Sequence, residues 1–324
     1  MEDRPEHDAA PFAAGVHLPW SDAPDRVRGW VEASVGSAVV GARDMTGGFS
    51  PGCCALLRFA DGRSAFVKAV GSTLNADSPA MHRREAQVAA ALPPSAQFPR
   101  LMDHFDDGDW VALLYEEVAG TMPRHPWVEA DLERVLEAVA CLHEALTPCP
   151  IPEIEPTSVQ FAWALDGWRS LAAMSTPPPG LDSWTRRNLD RLAEMEADGV
   201  AAVDEGDTLV HGDIRSDNVL LGESSVVFID WPHASRGAPA FDLVAWAPSV
   251  ALEGGPDPES LLGRYRLGRA LEPEATTALI AAISGFFTFH AALPGLTGLP
   301  TLRSFQAAQG LVARAWLRQR TGWA

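Results

Sequence analysis

The apolar residues in the first third of the chain occur in short runs that predict β-strands. Residues 54–59 and 64–70 form two such runs, and they flank the dipeptide Asp61-Gly62, which is typical of a hairpin turn. A third run covers residues 110–115 and leads into a short connection. Because short runs joined by tight turns pair in antiparallel fashion, this pattern predicts a small antiparallel sheet.

Helical spacing of apolar residues occurs on both sides of these runs. Ser21 or Asp22 could cap a first helix, and a second helical segment covers residues 81–92. Beyond Gly120, an apolar stripe at helical spacing extends over residues 131–146. The rest of the chain has mainly helical periodicity, interrupted by one compact pair of β-like runs.

These patterns predict an α+β protein with two lobes. A small N-terminal lobe of antiparallel strands would comprise residues 1–120, and a larger, mainly helical C-terminal lobe would comprise residues 121–324. Residues 275–302 carry no charge, but they contain polar side chains, proline and several glycines. We therefore expect a buried helix in this stretch rather than a membrane span.

The charge balance limits the partners of the protein. The 324 residues include 25 basic and 43 acidic side chains, for a formal net charge of −18. Because nucleic-acid binding needs clustered Lys and Arg, this balance argues against a nucleic-acid partner, whereas it would suit a cationic small substrate. The four cysteines form no disulfide framework and the N-terminus has no apolar signal segment, so we expect a cytoplasmic protein.

The segment 211–230 contains the most informative pattern of polar residues. It reads His211-Gly-Asp213, then Asn218, two apolar runs joined by a turn, and finally Asp230. A hairpin returns the chain to the end that it left, so Asn218 before the first run and Asp230 after the second should emerge at one edge. Asp213 lies in the loop that feeds this hairpin. The three side chains offer oxygen ligands for Mg²⁺ and a carboxylate that can receive a proton.

This spacing resembles the catalytic loop and metal motif of the aminoglycoside phosphotransferase and choline kinase superfamily. The resemblance implies the two-lobed protein-kinase-like fold, with ATP and Mg²⁺ as cofactors. It assigns Asp213 as the carboxylate that orients or deprotonates a substrate hydroxyl, and Asn218 and Asp230 as the metal ligands. Arg215 would stabilise the phosphoryl group during its transfer, as the equivalent lysine of protein kinases does.

The N-terminal part of the chain agrees with this resemblance. Lys68 is the only lysine and ends a run of the form Ala-Phe-Val-Lys, where the kinase-like pattern has the lysine that binds the α- and β-phosphates. Glu85 in the following helix is the expected ion-pair partner that holds Lys68 in position. Its neighbours Arg83 and Arg84 are interpreted as surface residues.

Two further segments receive roles from their position. The segment before the first predicted strand should cover the phosphates with its backbone N–H groups and a serine hydroxyl, and its candidate residues are Gly47, Gly48, Ser50 and Gly52. Glu116 to Val118 would form the linker whose backbone meets the adenine. The glycine-rich segment departs from the protein-kinase pattern, so a plain glycine-rich turn stays open as an alternative.

The residues after the metal motif favour a small-molecule acceptor over a protein acceptor. Only eleven residues separate Asp230 from Asp242, which leaves little room for a segment that docks a peptide. Asp242 resembles the aspartate that braces the catalytic loop, so we assign it a structural role. The acidic residues Glu194, Glu196 and Asp198 could attract ammonium groups of a substrate, but a solvated helical face explains them more simply.

We therefore expect an ATP- and Mg²⁺-dependent O-phosphotransferase that acts on a hydroxyl of a small molecule, for example an aminoglycoside-like antibiotic in a resistance role. Choline, homoserine, fructosamine and macrolide kinases stay open as alternatives. So does a non-catalytic kinase-like nucleotide-binding protein, although its signature would be the loss of Lys68, Asp213, Asn218 or Asp230, and all four are present. No nucleic-acid or membrane partner is expected, and the oligomeric state is open.

Overall fold

The computed structural model describes residues 17–45, 51–95, 97–178, 180–267, 272–296 and 298–324. Within these ranges, a five-stranded antiparallel sheet precedes a larger helical part, which confirms the predicted α+β class. The connection between the two parts is fixed by backbone hydrogen bonds at Thr121. This residue exchanges two backbone hydrogen bonds with Leu221, at 3.1 and 2.8 Å, so the chain enters the helical part at a defined point.

The strands of the sheet lie in the order β1-β2-β3-β5-β4, and all neighbouring pairs are antiparallel. Their bounds are β1 Val39–Asp44, β2 Cys53–Phe59, β3 Ser64–Gly71, β4 Leu101–Asp106 and β5 Trp110–Glu116. The three central strands coincide with the predicted runs. The edge strands β1 and β4 carry no such pattern in the sequence, because an edge strand buries few of its side chains.

Two helices cover the two faces of the sheet. α1, Asp25–Val35, packs on one face, and α2, Ser78–Ala91, packs on the other. Because side chains alternate along a strand, Leu114 of β5 belongs to the core under α1, whereas Leu113 belongs to the core under α2. Lys68 of β3 pairs with Leu113 in the register, so its side chain points toward α2.

The helical part extends from α3 to α11, with two short β pairs inserted. The helices are α3 Glu129–Ala145, α4 Thr157–Gln160, α5 Gly167–Ala172, α6 Ser183–Arg187, α7 Leu189–Ala202, α8 Ala240–Leu252, α9 Pro258–Arg264, α10 Pro273–Ala291 and α11 Leu302–Thr321. The β pairs are β6 Thr208–Val210 with β9 Ser235–Gly237, and β7 Val219–Leu221 with β8 Val226–Phe228. The second pair is the predicted hairpin. Single turns of 3-10 helix lie at Trp20–Asp22 and Ser216–Asn218.

The helix α10 forms the centre of the helical part. It contacts α5, α7, α8 and α11, and most of its side chains are buried. The charge-free stretch of the sequence therefore contributes a core helix, as predicted. Within the described residues, no helix combines the length and the apolar character needed to cross a bilayer.

The helices α7 and α10 cross so closely that a glycine is required at the crossing. A Cβ atom on Gly199 of α7 would lie 2.2 Å from the carbonyl oxygen of Ala278 in α10. Since this distance is far below van der Waals contact, a methyl group would force the helices apart. Gly29 of α1 is the opposite case, because no atom lies within 4 Å of the position of its Cβ.

These two glycines predict opposite effects of one substitution. Gly29→Ala should stabilise the protein by about 0.5–1 kcal/mol, because alanine loses less backbone entropy in a helix. Gly199→Ala should destabilise it by about 1–3 kcal/mol, because the helix crossing becomes overpacked. Urea unfolding of both variants beside the parent protein checks the two signs. A Gly199→Ala variant more stable than the parent would contradict the close crossing.

Candidate active site

The loop of residues 211–218 is held by a carboxylate from the first turn of α8. Asp242 accepts the backbone N–H groups of His211 and Gly212, at 2.9 and 2.7 Å. Its Oδ2 also contacts Nε2 of His143 in α3, at 2.9 Å. Asp242 is fully buried, so these bonds replace the hydration that its carboxylate has lost. The start of the loop is thereby fixed to two helices.

Asp213 follows this fixed turn and has partners on both sides of its carboxylate. Arg215 donates to Oδ1 at 3.0 Å, and the side-chain amide of Asn218 donates to Oδ2 at 3.2 Å. The same amide donates to the backbone oxygen of Asp213 at 2.9 Å. Burial raises the pKa of Asp213 to about 7; Arg215 opposes this shift, and the charges of Asp217 and Asp230 add to it. A carboxyl in this setting can accept a proton near neutral pH.

Arg215 is held by Asp217 as well as by Asp213. Its Nε and one terminal nitrogen donate to the two oxygens of Asp217, at 2.9 and 3.0 Å, in the bidentate geometry typical of arginine with a carboxylate. The guanidinium also lies 5.9 Å from the ring centroid of Phe305 in α11. A largely buried positive charge is therefore placed directly beside Asp213.

Lys68 connects the sheet to the helical part. Its Nζ lies 2.6 Å from Oδ1 of Asp230 and also contacts the carboxylate of Glu85 in α2. Tyr115 donates its hydroxyl to the other oxygen of Glu85, at 2.8 Å. Burial alone would lower the pKa of Lys68, but the charges of Asp230 and Glu85 outweigh burial and raise it above its ordinary value. The buried amine therefore stays charged.

The β7–β8 hairpin brings Asn218 and Asp230 together. Asn218 directly precedes β7, and its backbone oxygen accepts the N–H of Ile229, the residue before Asp230, at 3.0 Å. Asp230 has a φ of +70°, the one positive φ outside glycine among the described residues. A positive φ is uncommon outside glycine, although aspartate tolerates it better than most residues, and such conformations cluster at functional sites.

The oxygen atoms of Asn218 and Asp230 suit a hard divalent cation. The amide nitrogen of Asn218 is bound to Asp213, which leaves the amide oxygen as an acceptor. Burial would raise the pKa of Asp230, but the charge of Lys68 and its hydrogen bond keep that pKa well below its ordinary value. No cluster of three or more His, Cys, Asp or Glu in the described ranges could hold a metal ion by itself. Phosphate or water oxygens would have to complete such a site.

The remaining predicted residues lie around the sheet. Gly52 precedes β2 with a φ of +127°, and a Cβ atom there would lie 2.4 Å from the carbonyl oxygen of Ala69, so only glycine fits against β3. Glu116 ends β5 with an exposed side chain, and Val118 is half-buried in the connection that follows. The other predicted residues of the glycine-rich segment lie outside the described residues: Gly47, Gly48 and Ser50.

The interpretation of Arg84 as a surface residue is wrong, because Arg84 joins the two parts of the molecule. Its guanidinium donates to the backbone oxygen of Ala234 at 3.0 Å and to Glu155 at 3.1 Å, and both lie in the helical part. Arg83 instead pairs with Asp106 inside the sheet region, at 2.7 Å. Neighbouring residues on a helix point in different directions, and the sequence does not show which of two arginines faces the other lobe.

Glu253, at the end of α8, is a residue that the motif spacing did not identify. Its carboxyl accepts the hydroxyl of Ser216 at 2.8 Å and the indole N–H of Trp127 at 2.9 Å. Burial raises the pKa of Glu253 to about 7, although these hydrogen bonds oppose the shift. The 211–218 loop is therefore supported by a group that titrates near neutral pH.

The raised pKa of Glu253 predicts a pH-dependent stability. Between about pH 4.5 and 7, the folded protein keeps the Glu253 proton that the unfolded chain releases, so the parent should lose stability relative to a Glu253→Gln variant as pH rises. This difference should change by up to about 3 kcal/mol and level off above pH 8. Urea unfolding from pH 4.5 to 8.5 measures it.

The lost hydrogen bonds of Glu253→Gln give an offset that does not depend on pH, so only the slope is tested. Glu194→Gln, at an exposed position of α7, controls for the removal of one carboxylate. A parent-to-variant difference that stays constant over the whole pH range would contradict the raised pKa.

Solved structures of small-molecule kinases share this fold. A thermostable mutant of aminoglycoside phosphotransferase APH(4)-Ia, in a ternary complex with ADP and hygromycin B, has a TM-score of 0.61 at 17% identity, over 90% of this chain and 98% of that chain. Spectinomycin phosphotransferase APH(9)-Ia with ADP and spectinomycin has a TM-score of 0.57 at 12% identity, over 91% of this chain and 98% of that chain. A choline/ethanolamine kinase family protein from Mesorhizobium loti has a TM-score of 0.58 at 16% identity, over 91% of this chain and 94% of that chain. At such identities the similarity establishes the fold, which is protein-kinase-like as predicted.

The family of the chain follows from its sequence. None of the curated proteins compared with it gives a significant match. The model of the phosphotransferase enzyme family (APH) matches residues 56–309, well over half of the 324 residues, and the match includes Lys68 and the whole 211–230 segment. The chain therefore belongs to the phosphotransferase enzyme family and is a phosphotransferase that acts on a hydroxyl group of a small molecule.

Proposed function

We propose that this enzyme transfers the γ-phosphoryl group of ATP to a hydroxyl of a small molecule in a reaction that needs Mg²⁺. The observation that carries the proposal is the approach of Lys68, from the sheet, to Asp230 of the helical part, at 2.6 Å. Asp230 lies beside Asn218, which is bonded to Asp213. A cation, two oxygen ligands and a carboxylate are the groups that phosphoryl transfer from a metal-bound nucleotide requires.

Lys68 is the residue that we assign to the phosphates of the nucleotide. Its ammonium is rigidly placed, because Glu85 contacts it and both side chains are buried. APH(4)-Ia and APH(9)-Ia were both solved with ADP, which supports an adenine nucleotide here. The glycine-rich segment that ends at Gly52 and the connection from Glu116 to Val118 keep their expected roles around the phosphates and the adenine.

Asn218 and Asp230 are the residues that would hold the Mg²⁺ ion. When bound, the ion would neutralise part of the phosphate charge and orient the phosphates for transfer. The backbone hydrogen bond from Ile229 N–H to the oxygen of Asn218 sets the spacing of the Asn218 and Asp230 side chains. Because Lys68 keeps Asp230 ionised, this carboxylate is ready to act as a ligand over the whole neutral pH range.

Asp213 is the residue that would orient the acceptor hydroxyl and receive its proton. The hydroxyl oxygen forms a bond to the γ-phosphorus, the bond from that phosphorus to the β–γ bridging oxygen breaks, and ADP leaves with the electron pair. The hydroxyl proton passes to the carboxylate of Asp213. Arg215 and Asn218 hold the two oxygens of this carboxylate, so its orientation is set before the acceptor binds.

Arg215 would stabilise the transferring phosphoryl group. It supplies a fixed positive charge next to Asp213, and its bidentate pairing with Asp217 prevents the guanidinium from swinging away. A preorganised charge of this kind needs no rearrangement as negative charge develops in the transition state.

Three classes of acceptor have support from the similar structures. An aminoglycoside-like antibiotic is one, since APH(4)-Ia holds hygromycin B and APH(9)-Ia holds spectinomycin. An amino alcohol is the second, since a choline/ethanolamine kinase family protein shares the fold, and a fructosamine is the third, since a candidate fructosamine-3-kinase shares it too. An acceptor panel of aminoglycosides, amino alcohols and sugars covers these classes, and macrolides cover the remaining alternative that the sequence leaves open.

Asp213→Asn should remove phosphoryl transfer and spare nucleotide binding. The amide preserves the shape of the carboxylate but cannot take the proton, so the acceptor-stimulated kcat should fall by about 10²-fold or more. The Kd for ATP with Mg²⁺ should change by less than about threefold, because the backbone oxygen and the new amide oxygen can still accept the bonds from the Asn218 amide. ADP release across the acceptor panel and calorimetric ATP binding measure the two quantities.

Asp25→Asn, on the exposed surface of α1, is the matched control and should behave like the parent. Parent-like turnover of Asp213→Asn would refute the assigned role. A parent protein that does not bind ATP with Mg²⁺ would refute the proposed function as a whole and favour the non-catalytic alternative.

Arg84 is proposed to position α2 for this reaction. It is adjacent to Glu85, which contacts Lys68, and it binds Ala234, four residues after Asp230. One helix turn therefore touches both the phosphate-binding lysine and the segment that follows the metal ligand. Loss of the Arg84 contacts would let α2 move relative to the 211–218 loop, and small displacements of reacting groups are costly for turnover.

Arg84→Ala should lower kcat about 10- to 100-fold. Arg83→Ala is the matched control on the neighbouring residue, and it should stay within about twofold of the parent, because Arg83 pairs with Asp106 inside the sheet region. Steady-state ADP release at saturating ATP measures both. Equal losses in the two variants would show that Arg84 has no particular positioning role.

A further inference from the structure

A row of aromatic side chains extends from the 211–218 loop to an exposed surface. Phe161 lies against this loop, since a Cβ atom on Gly212 would be only 2.9 Å from its Cζ atom. Trp163 stacks on Phe161 with ring centroids 6.4 Å apart and planes at 29°. The row, which we call the aromatic wall, consists of Phe161, Trp163, Phe286 and His290.

Trp163 is exposed although its neighbours hold it in place. Phe286 and His290 of α10 contact it nearly at right angles, with centroids at 5.6 and 5.5 Å. Its relative exposure is still 53%, and that of Val159, four residues earlier, is 55%. A large ring that is fixed by packing yet left in contact with water is typical of a binding surface.

The segment that carries Trp163 is anchored at its start and in its middle. Asp204 accepts the backbone N–H of Ser158 at 2.9 Å, which fixes the first turn of α4. Phe161 packs on Phe241 of α8, with centroids 4.8 Å apart. Because the indole is held before any ligand arrives, little conformational entropy would be lost on binding.

Three carboxylates near the aromatic wall accept hydrogen bonds from the fold, and one of them is fully buried. Glu196 is fully buried and accepts the backbone N–H groups of Trp168 and Arg169, so it does not belong to the solvated face that the sequence suggested. Asp204 accepts the backbone N–H of Ser158. Asp166 accepts the hydroxyl of Ser170 at 3.2 Å.

The immediate surroundings of the Trp163 ring are aromatic. Burial lowers the pKa of His290, and the charges of Arg303 and Asp166 shift that pKa in opposite directions. A multiply charged amine would be recognised by several carboxylates, whereas the groups that contact the Trp163 ring are the rings of Phe161, Phe286 and His290. Recognition of a quaternary ammonium typically uses several aromatic faces around one cation, whereas here a single indole is widely exposed.

We propose that Trp163 is the platform for an uncharged aryl ring of the acceptor, while the acceptor's hydroxyl reaches Asp213. The continuity of the aromatic wall with the 211–218 loop is the reason for placing the acceptor there. This inference rests on the proposed function, and it narrows the acceptor to alcohols that carry an aryl ring and lack multiple positive charges.

The test compares molecules that differ in one property at a time. 4-Nitrophenyl β-D-glucoside and glucose share a sugar and differ in an aromatic ring, while choline and hygromycin B supply one and several positive charges. Saturation-transfer NMR titrations in the presence of ADP and Mg²⁺ measure binding without requiring turnover. The aryl glucoside should bind at least about tenfold more tightly than glucose, choline or hygromycin B.

Variants of Trp163 then locate the binding site. Trp163→Ala should weaken binding of the aryl glucoside at least about tenfold, and Trp163→Phe, which keeps a flat ring, should recover part of it. Leu311→Ala removes a large exposed apolar side chain elsewhere in the helical part and serves as the matched control, with no change expected.

Each result decides the inference separately from the proposed function. Equal binding of glucose and the aryl glucoside, unchanged binding in Trp163→Ala, or tighter binding of choline or hygromycin B through Trp163 would overturn the inference. If aryl glucoside binding depends on Trp163 while no acceptor stimulates ADP release by the parent protein, ring binding at Trp163 stands and the proposed function fails. If ADP release depends on Asp213 but only charged acceptors stimulate it, the proposed function stands and the inference fails.

Discussion

The buried ammonium of Lys68 is the constraint on which the site depends. A charge removed from water must be compensated, and the two compensating carboxylates come from α2 and from Asp230, 162 residues further along the chain. Removing one partner would leave an uncompensated buried charge, which typically destabilises by about 3–5 kcal/mol, whereas an apolar replacement of all three groups can be neutral. Stability alone therefore does not account for the three groups, which agrees with the proposed binding of phosphate by Lys68. Their geometry fixes the sheet against the helical part.

Backbone N–H groups and buried carboxylates hold the rest of the site in a similar way. Asp242 accepts backbone N–H groups at the start of the 211–218 loop, and Glu253 accepts the hydroxyl of Ser216 in the same loop. Arg84 links α2 to the segment after Asp230. Each contact joins elements that are far apart in the sequence, so movement of one element changes the positions of the reacting groups in another. The positive φ of Asp230 is maintained within this framework.

Local patterns predicted the strands that carry apolar runs and pair through a short turn or in the middle of the sheet. The β2–β3 hairpin, β5 and the β7–β8 hairpin carry apolar runs because they lie in the interior of a sheet or against the core. β1 and β4 are edge strands without a fully buried side chain. β6 and β9 are mostly buried, but each has only three residues and its partner is distant in the sequence. Such strands are stabilised by backbone pairing with distant partners, and their own sequences give little sign of that pairing.

The sequence by itself determined the family, the central strands, and the group formed by Asp213, Asn218 and Asp230, because a short hairpin is enough to bring the last two together. Lys68 was found because the only lysine of the chain stood within a recognisable strand. Tertiary structure alone decided the contacts and the exposure of Arg84, Glu253, Glu196 and Trp163. A charged or aromatic residue on a helix has the same local pattern whether it faces water, a carboxyl group or another lobe. Only the packing of distant segments settles which of these it faces.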